Sequence, residues 1–364
     1  MHLLIQYTKI LIIPLFLHRF AQMEKISLYG LSENEIYVLL EPYGFSSANA
    51  HELAVNIYKR RYRSFDDFIK IPERLRSVLK SDFCTGYSEF VDSYKSDDNT
   101  VKYLFRTDDG RQFEAVYIPD GKRHTVCVST QSGCRMGCMF CVSGSFGFHG
   151  NLEVSEILNQ VLGIPPSELI THVVFMGMGE PLDNFENVVR AVKALTAQWG
   201  MALSPVHVTV STVGIKDAFS SFLLQSDCNL TLSLHSPFPD ERLQFIPAEK
   251  RNPFNDVLAE MKRAILRKGR RLSVAYIMIE GLNDTERHLN ELIVLLKDTG
   301  IRVNLLPYHS AGNNNLMPSS AEKLHYFKHS LVIAGISASV RKSRGEDIAA
   351  ACGLLAARLA GRRC

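Results

Sequence analysis

Three cysteines fall within eight residues, Cys134-Arg-Met-Gly-Cys138-Met-Phe-Cys141. Thiolate is the ligand form of cysteine, so this grouping in a chain of 364 residues points to a metal or cluster site in a reducing compartment. A structural zinc site usually takes four ligands as C-x2-C pairs, and no second pair follows at a suitable spacing. Three thiolates can instead hold three irons of a 4Fe–4S cube and leave the fourth open to a substrate or cofactor.

The C-x3-C-x2-C spacing, with aromatic Phe140 before the third cysteine, resembles the radical S-adenosylmethionine superfamily. The resemblance implies that Cys134, Cys138 and Cys141 bind one 4Fe–4S cluster, whose open iron takes the amino and carboxylate groups of S-adenosylmethionine. Further along, Gly177-Met178-Gly179-Glu180-Pro181 offers backbone that a ligand can approach closely, beside a carboxylate able to accept from its ammonium. Ser211, Ser233, Leu234, His235 and Asn304 also end β-rich runs. With Gly179 and Glu180 they make up the expected cofactor site, suited to ribose hydroxyls, the adenine edge and a carboxylate. Taken singly, His235 reads equally as a structural histidine and Asn304 as a turn-capping amide.

Groups at strand ends need a repeating scaffold to hold them. After residue 122 a short β-rich run followed by an amphipathic helix recurs. Strands are predicted at 125–130, 172–176, 207–211, 229–235, 272–278 and 303–307, with a last one around 336–341. Helices are predicted near 153–163, 185–198, 214–224, 254–267, 285–298 and 320–334. Six or seven such units imply an α/β fold, a partial (β/α)6 barrel with a parallel sheet and its site at the C-terminal strand ends. Before it, Val101–Phe105 and Phe113–Ile118 alternate with period two around a turn at Asp108-Asp109-Gly110, which predicts a hairpin.

The N-terminal part reads as a small helical domain. Ser32-Glu33-Asn34-Glu35 opens a helix with a cap, and Ala48–Tyr58 continues with helical spacing. The run Lys59-Arg60-Arg61-Tyr62-Arg63 is either a solvated helix end or a phosphate-contacting patch. The expected organisation is 1–22 as leader or mis-assigned start, with Met23 the true beginning, 23–100 as the helical domain, and 101–119 as the hairpin extension carrying Glu114. The core barrel follows over 120–347, and 348–364 carries Cys352.

Composition sets wide bounds. The chain is 46% hydrophobic and 22% charged, which allows a full core without disulfide staples. A formal charge of +3 is too mild to indicate nucleic acid by itself. The apolar run Leu11–Leu17 is broken by Pro14 and falls short of the ~20 residues that span a bilayer, so no membrane is expected as a partner.

From about Met23 to Leu355 the chain resembles the RlmN/Cfr family of RNA methyltransferases. The resemblance rests on Glu114-Ala-Val-Tyr-Ile-Pro119, Cys127-Val-Ser-Thr-Gln-Ser-Gly-Cys134, Phe175-Met-Gly-Met-Gly-Glu-Pro-Leu182, Ser233-Leu-His-Ser-Pro237 and Arg344-Gly-Glu-Asp-Ile-Ala-Ala-Ala-Cys-Gly353. It implies radical methylation of C2 or C8 of adenine in rRNA or tRNA, with two S-adenosylmethionine molecules per turnover. Those carbons are not nucleophilic, so they cannot take a sulfonium methyl by simple displacement. Cys352 matches the cysteine that carries the methyl group, Cys127 the thiol that resolves the RNA adduct through a disulfide with Cys352, and Glu114 the proton acceptor. Implied partners are RNA and an electron donor such as flavodoxin or ferredoxin, and the expected enzyme is a cytoplasmic monomer. The helical domain is the part that contacts RNA in this family. A second basic cluster, Lys262, Arg263, Arg267, Lys268, Arg270 and Arg271, also suits phosphate contacts. Cys84, Cys228 and Cys364 read as ordinary structural cysteines.

Some segments depart from the family pattern. Ser236-Pro237 and Ala275–Met278 read closer to the C8-methylating branch, and Gly179-Glu180-Pro181 closer to the C2-methylating one. Val340–Arg344 matches neither, and Asn313-Asn314-Asn315 is unusual, so a divergent paralogue is expected. Two other classes stay open: a radical enzyme acting on a protein or small molecule, and a non-catalytic RNA-binding protein with a structural cluster.

Overall fold

The structure, a computed structural model, describes residues 25–165, 167–310 and 316–355. The expected leader 1–22, Asn313–Asn315 and Cys364 lie outside them. The described residues form two compact units.

Among the described residues, the first unit takes in 25–89, with Glu153–Leu169 and Arg190–Ser204. It opens on β1 (Ile26–Ser27), α1 (Glu33–Leu40), α2 (Ser47–Ala54), α3 (Glu73–Asp82) and β2 (Phe83–Cys84), with β1 and β2 parallel. Ser32 and Glu35 form the expected capping box on α1. Helix α2 runs on as a π-helical turn, Val55–Lys59. The basic run beyond it is largely spent inside the unit. Arg60 pairs with Glu52 at 3.4 Å, and Arg61 donates to the carbonyls of Val161, Ile164 and Glu168. Arg63 donates to Gly163 O at 2.7 Å. The reading of this run as a phosphate patch is corrected accordingly for Arg61 and Arg63, whose guanidinium groups satisfy backbone carbonyls at a helix C-terminus.

The second unit holds a ten-stranded sheet. Strands β3 (Asp92–Lys95), β4 (Val101–Arg106), β5 (Gln112–Asp120) and β6 (Arg123–Val128) run antiparallel in sequence. A small hairpin, β7 (Gln131–Gly133) with β8 (Phe148–Asn151), flanks the cysteine loop and the short helix α4 (Val142–Ser145). Helix α5 (Val154–Leu162) then precedes β9 (His172–Phe175). The chain continues as α6 (Phe185–Thr196), β10 (Val208–Thr212), α7 (Lys216–Gln225), β11 (Asn229–Ser233), α8 (Pro239–Phe245), α9 (Phe254–Arg263), β12 (Leu272–Met278), α10 (Glu286–Leu296), β13 (Arg302–Pro307), α11 (Ala321–Ile333) and β14 (Ala338–Val340). Strands β6 and β9 to β14 are parallel and lie in chain order, which makes six crossovers and an open barrel.

Alternation along these strands decides what the barrel holds. Val208, Val210, Leu230, Leu232, Val274, Val303 and Leu305 are fully buried on one face. The alternate positions Thr125, His172, Thr209, Thr231, Ser273 and Asn304 are polar and line a cavity. A barrel with branched apolar residues inward would be solid, whereas this one keeps a polar lumen. No helix among the described residues is long and apolar enough to cross a membrane.

Candidate active site

The cysteine loop leaves the barrel at the end of β6. Gly133 has φ +73°, and a Cβ there would meet Gly147 O at 1.8 Å, so the hairpin can close only on glycine. Cys134 N donates to Gly147 O at 2.9 Å and Cys141 N to Cys138 O at 3.1 Å, which folds the loop back on itself. Met139 N donates to Phe245 O, anchoring the loop on α8. Met136, Cys138 and Phe140 pack against a buried cluster of Val213, Phe245, Ile246, Ile277, Ile279 and Tyr308.

Burial pushes the thiol of Cys134 up to about 12 and raises Cys138 and Cys141, and the charges of neighbouring thiolates add to the rise for all three. Three thiols, one buried and two partly buried, therefore resist ionising together unless a positive centre joins them. That chemistry fits an iron–sulfur cluster. No three His, Cys, Asp or Glu side chains among the described residues converge on the spacing of a single metal ion. A four-iron cube holds its ligand sulfurs on separate irons, further apart than one ion would.

The end of β9 supplies the expected carboxylate. Gly179 has φ +96°, and a Cβ would collide with Gln131 Cβ at 2.5 Å. Glu180 is buried; its carboxylate accepts from Leu182 N at 3.0 Å and Val213 N at 2.9 Å. Burial pushes it up to about 7 against those stabilising bonds. Ser211 Oγ and Ser233 Oγ lie 3.5 Å apart at neighbouring strand ends. Leu234 is fully buried. His235 takes φ +58° and accepts from Ile277 N through Nδ1, with its ring edge-on to Phe140 at 4.7 Å. Burial holds it down at about 3, so it stays neutral. Asn304 donates to Ser273 Oγ at 3.2 Å and accepts from Ser339 Oγ at 3.0 Å.

A cavity of about 630 Å³ runs through the barrel, lined among others by Cys127, Cys141, Gly177, Asn304 and Cys352. Burial pushes Cys127 up to about 12, and the charge of Cys352 adds to the rise, so these two thiols lie within electrostatic reach. Glu114 lies outside the described lining. It is buried on β5 and pairs with Lys102 Nζ at 3.3 Å. Val116 is the register partner of Cys127, so Glu114, two residues earlier, projects from the same face. Cys228 is buried and Cys84 is half-buried.

Sequence reasoning missed four residues that shape this site. Buried Arg242 donates to the carbonyls of Val213, Ser233 and Leu234 and pairs with Glu249. Gln131 accepts from Glu180 N at 3.0 Å. Ser143 Oγ donates to Leu355 O at 2.6 Å. Lys102 had a signal: a hairpin turning at Asp108–Gly110 places it opposite Val116, on the Glu114 face.

An open parallel barrel with a three-cysteine loop after its first strand defines a radical S-adenosylmethionine protein. The model of the Radical SAM superfamily matches residues 128–293. A Bacteroides fragilis protein named "Probable dual-specificity RNA methyltransferase RlmN" is 39% identical over 92% of this chain and 97% of its own length. The Halorhodospira halophila dual-specificity RNA methyltransferase RlmN is 34% identical over 93% of this chain and 96% of its own. The crystal structure of a radical SAM methyltransferase from Sphaerobacter thermophilus matches with a TM-score of 0.86 at 34% identity, covering 92% of this chain and all of the other. The chain belongs to the RlmN family of radical S-adenosylmethionine methyltransferases. As a member it is a methyltransferase that uses a 4Fe–4S cluster and S-adenosylmethionine.

Proposed function

We propose that this protein methylates a ring carbon, C2 or C8, of adenine in rRNA or tRNA, with Cys352 carrying the methyl group and two cofactor molecules consumed per turnover. The observation that carries this reading is that Cys127 and Cys352 line one cavity with Cys141 of the cluster loop. A radical enzyme acting on a protein or small molecule has no use for that second pair of thiols.

When bound, the cluster and S-adenosylmethionine supply an electrophilic methyl group and, on reductive cleavage of a second cofactor molecule, the power to abstract a hydrogen atom. Cys134, Cys138 and Cys141 hold the cluster, and Gly179, Glu180, Ser211, Ser233, Leu234, His235 and Asn304 hold the cofactor. Cys352 gives up its proton and takes the methyl as a thioether. Its carbon, after losing a hydrogen atom, bonds to the adenine ring and joins RNA to protein. Glu114 takes the ring proton. Cys127, kept protonated by burial, acts only once the adduct lies beside it. The Cys352 S–C bond then breaks as the Cys127–Cys352 S–S bond forms, and the Cys127 thiol proton completes the methyl group. The unpaired electron left by radical addition passes to the oxidised flavodoxin or ferredoxin, and a two-electron reductant restores both thiols. We take the acting species to be a cytoplasmic monomer that receives its electrons from flavodoxin or ferredoxin, with RNA also contacting the N-terminal unit.

Mass spectrometry of the Cys352 peptide, from protein with a reconstituted cluster, tests the reading. One added methylene on Cys352 is expected. An unmodified thiol with cluster and cofactor both present would move the assignment to a different radical reaction on this barrel.

A further inference from the structure

The cavity shared by Cys127 and Cys352 carries a charge imbalance that the methyl chemistry leaves unused. Six of its lining residues are Arg or Lys, and one, Asp120, is a carboxylate. Asp120 is already held by Arg344 at 2.8 Å. Arg123, Arg271 and Arg341 have no ion-pair partner among the described residues. Arg123 is held below its ordinary value, first by burial and then by the positive charge of Arg341; Asp120 offsets part of this and Arg271 adds to it. The Arg123 guanidinium therefore feels both of the other two. Like charges gathered with Asp120 as the one carboxylate in the lining destabilise the empty site, and an anion entering it relieves that repulsion.

Two features select among anions. The rings of His172 and His207, also in the lining, lie tilted by 35° with centroids 4.4 Å apart. Burial and the charge of Arg123 hold His172 down at about 4, so it stays a neutral aromatic surface. Guanidinium groups interleaved with flat rings are the pattern that takes single-stranded nucleic acid: cations on the phosphate, rings against a base. Spacing points the same way. Arg123 and Cys127 share the inner face of β6, four residues or roughly 13 Å apart at ~3.3 Å per residue. Extended guanidinium side chains shorten that gap to the reach of a nucleotide from base edge to phosphate.

We propose that Arg123, Arg271 and Arg341 form a phosphate seat inside the catalytic cavity, taking a backbone phosphodiester of the RNA strand whose adenine is presented to Cys352. This rests on the reading of the enzyme as acting on RNA. The seat fixes the strand's register without reading its sequence.

The test uses the full chain with its cluster and a fluorescently labelled RNA hairpin, with binding measured by anisotropy across a potassium chloride series. Arg123→Gln, Arg271→Gln and Arg341→Gln are each expected to weaken binding roughly fivefold or more and to reduce the salt slope by roughly 0.7. Lysine at the same positions restores part of the slope, and Lys328→Gln on the outer helix α11 changes neither quantity. The S-methyl content of Cys352 reports, without RNA, that each variant is folded and loaded. If the wild type binds RNA but all three Gln variants match it in affinity and slope, the seat is wrong while the RNA reading stands. If the loaded wild type binds no RNA, the RNA reading fails and the seat with it. Inorganic phosphate is the second probe. Competition with RNA only at high concentration supports a phosphodiester; saturation of the seat by phosphate far below that range overturns it in favour of a free phosphate ligand.

Discussion

The amide of Val142 donates to the carbonyl of Gly353 at 2.8 Å, tying the residue after Cys141, the third cysteine of the loop, to the residue after Cys352. Buried Ser143 repeats the tie to Leu355 at 2.6 Å. Further back, Asp347 accepts from Ser96 Oγ and Gly345 N donates to Asp98. The segment bearing Cys352 is thus moored at both ends. Ser143→Ala removes one buried hydrogen bond, a cost of about 1 kcal/mol. The expected result is a melting temperature lower by roughly 2–4 °C and several-fold slower methylation of Cys352, with iron content unchanged. Calorimetry, iron assay and timed mass spectrometry separate the three; loss of iron would show that the tie supports the cluster loop instead.

Much of this was legible in the chain, and what was not has physical reasons. The parallel strands were found within a few residues from short β-rich runs recurring between amphipathic helices, because buried Val and Leu concentrate there. Cys134, Cys138 and Cys141 were singled out by spacing alone, and the structure places them on one loop after β6. Helix α8 escaped, being seven residues long and opening on Pro239. Its Arg242 looks like any surface cation until the fold buries it under two strand ends. The β7–β8 hairpin is too short and glycine-rich for periodicity to show. The basic run after α2 misled because the carbonyls that Arg61 and Arg63 satisfy come from residues about 100 positions away.

Arg242 should dominate the stability of the site. It is fully buried with Glu249 as its ion-pair partner. Arg242→Met strands the Glu249 carboxylate and three carbonyls, a loss of roughly 3–5 kcal/mol. Denaturant unfolding is expected to show that loss, and cluster reconstitution should fall with it. Arg242→Lys keeps the charge but not the planar fork, and should lie between. A Met variant as stable as the wild type would mean the strand ends hold without the guanidinium.

Glu180 gives the cofactor-free protein a pH signature. Its carboxyl is raised from 4.5 to about 7, chiefly by burial. Below pH 4.5 it is protonated whether the chain is folded or unfolded. Between 4.5 and about 7 the folded form keeps a proton that the unfolded chain has lost, so stability falls as pH rises through this window. At about 1.4 kcal/mol per pH unit the loss is on the order of 3 kcal/mol. Glu180→Gln should flatten that slope while paying a fixed cost, since its amide group faces one of two backbone N–H donors. Urea titrations at pH 5 and 7.5 measure both. An equal slope in the variant would assign the titration elsewhere.

Cys127→Ala separates the two thiol roles. Cys127 is buried and its ordinary reading would be a small core residue, so replacement by alanine should cost little stability. Methylation of Cys352 needs only Cys352 and the cofactor, and should proceed in the variant. Bond formation to adenine should also proceed. Release should not, because no second thiol is present to take the Cys352 sulfur as the carbon departs. The expected product is RNA covalently held on the protein, seen as a slow-migrating band on denaturing gels that nuclease digestion collapses to a nucleotide adduct on Cys352. Cys352→Ala should give no such band in any background. Release of methylated RNA at the wild-type rate from the Cys127→Ala protein would remove Cys127 from the mechanism and leave the shared cavity as a coincidence of packing.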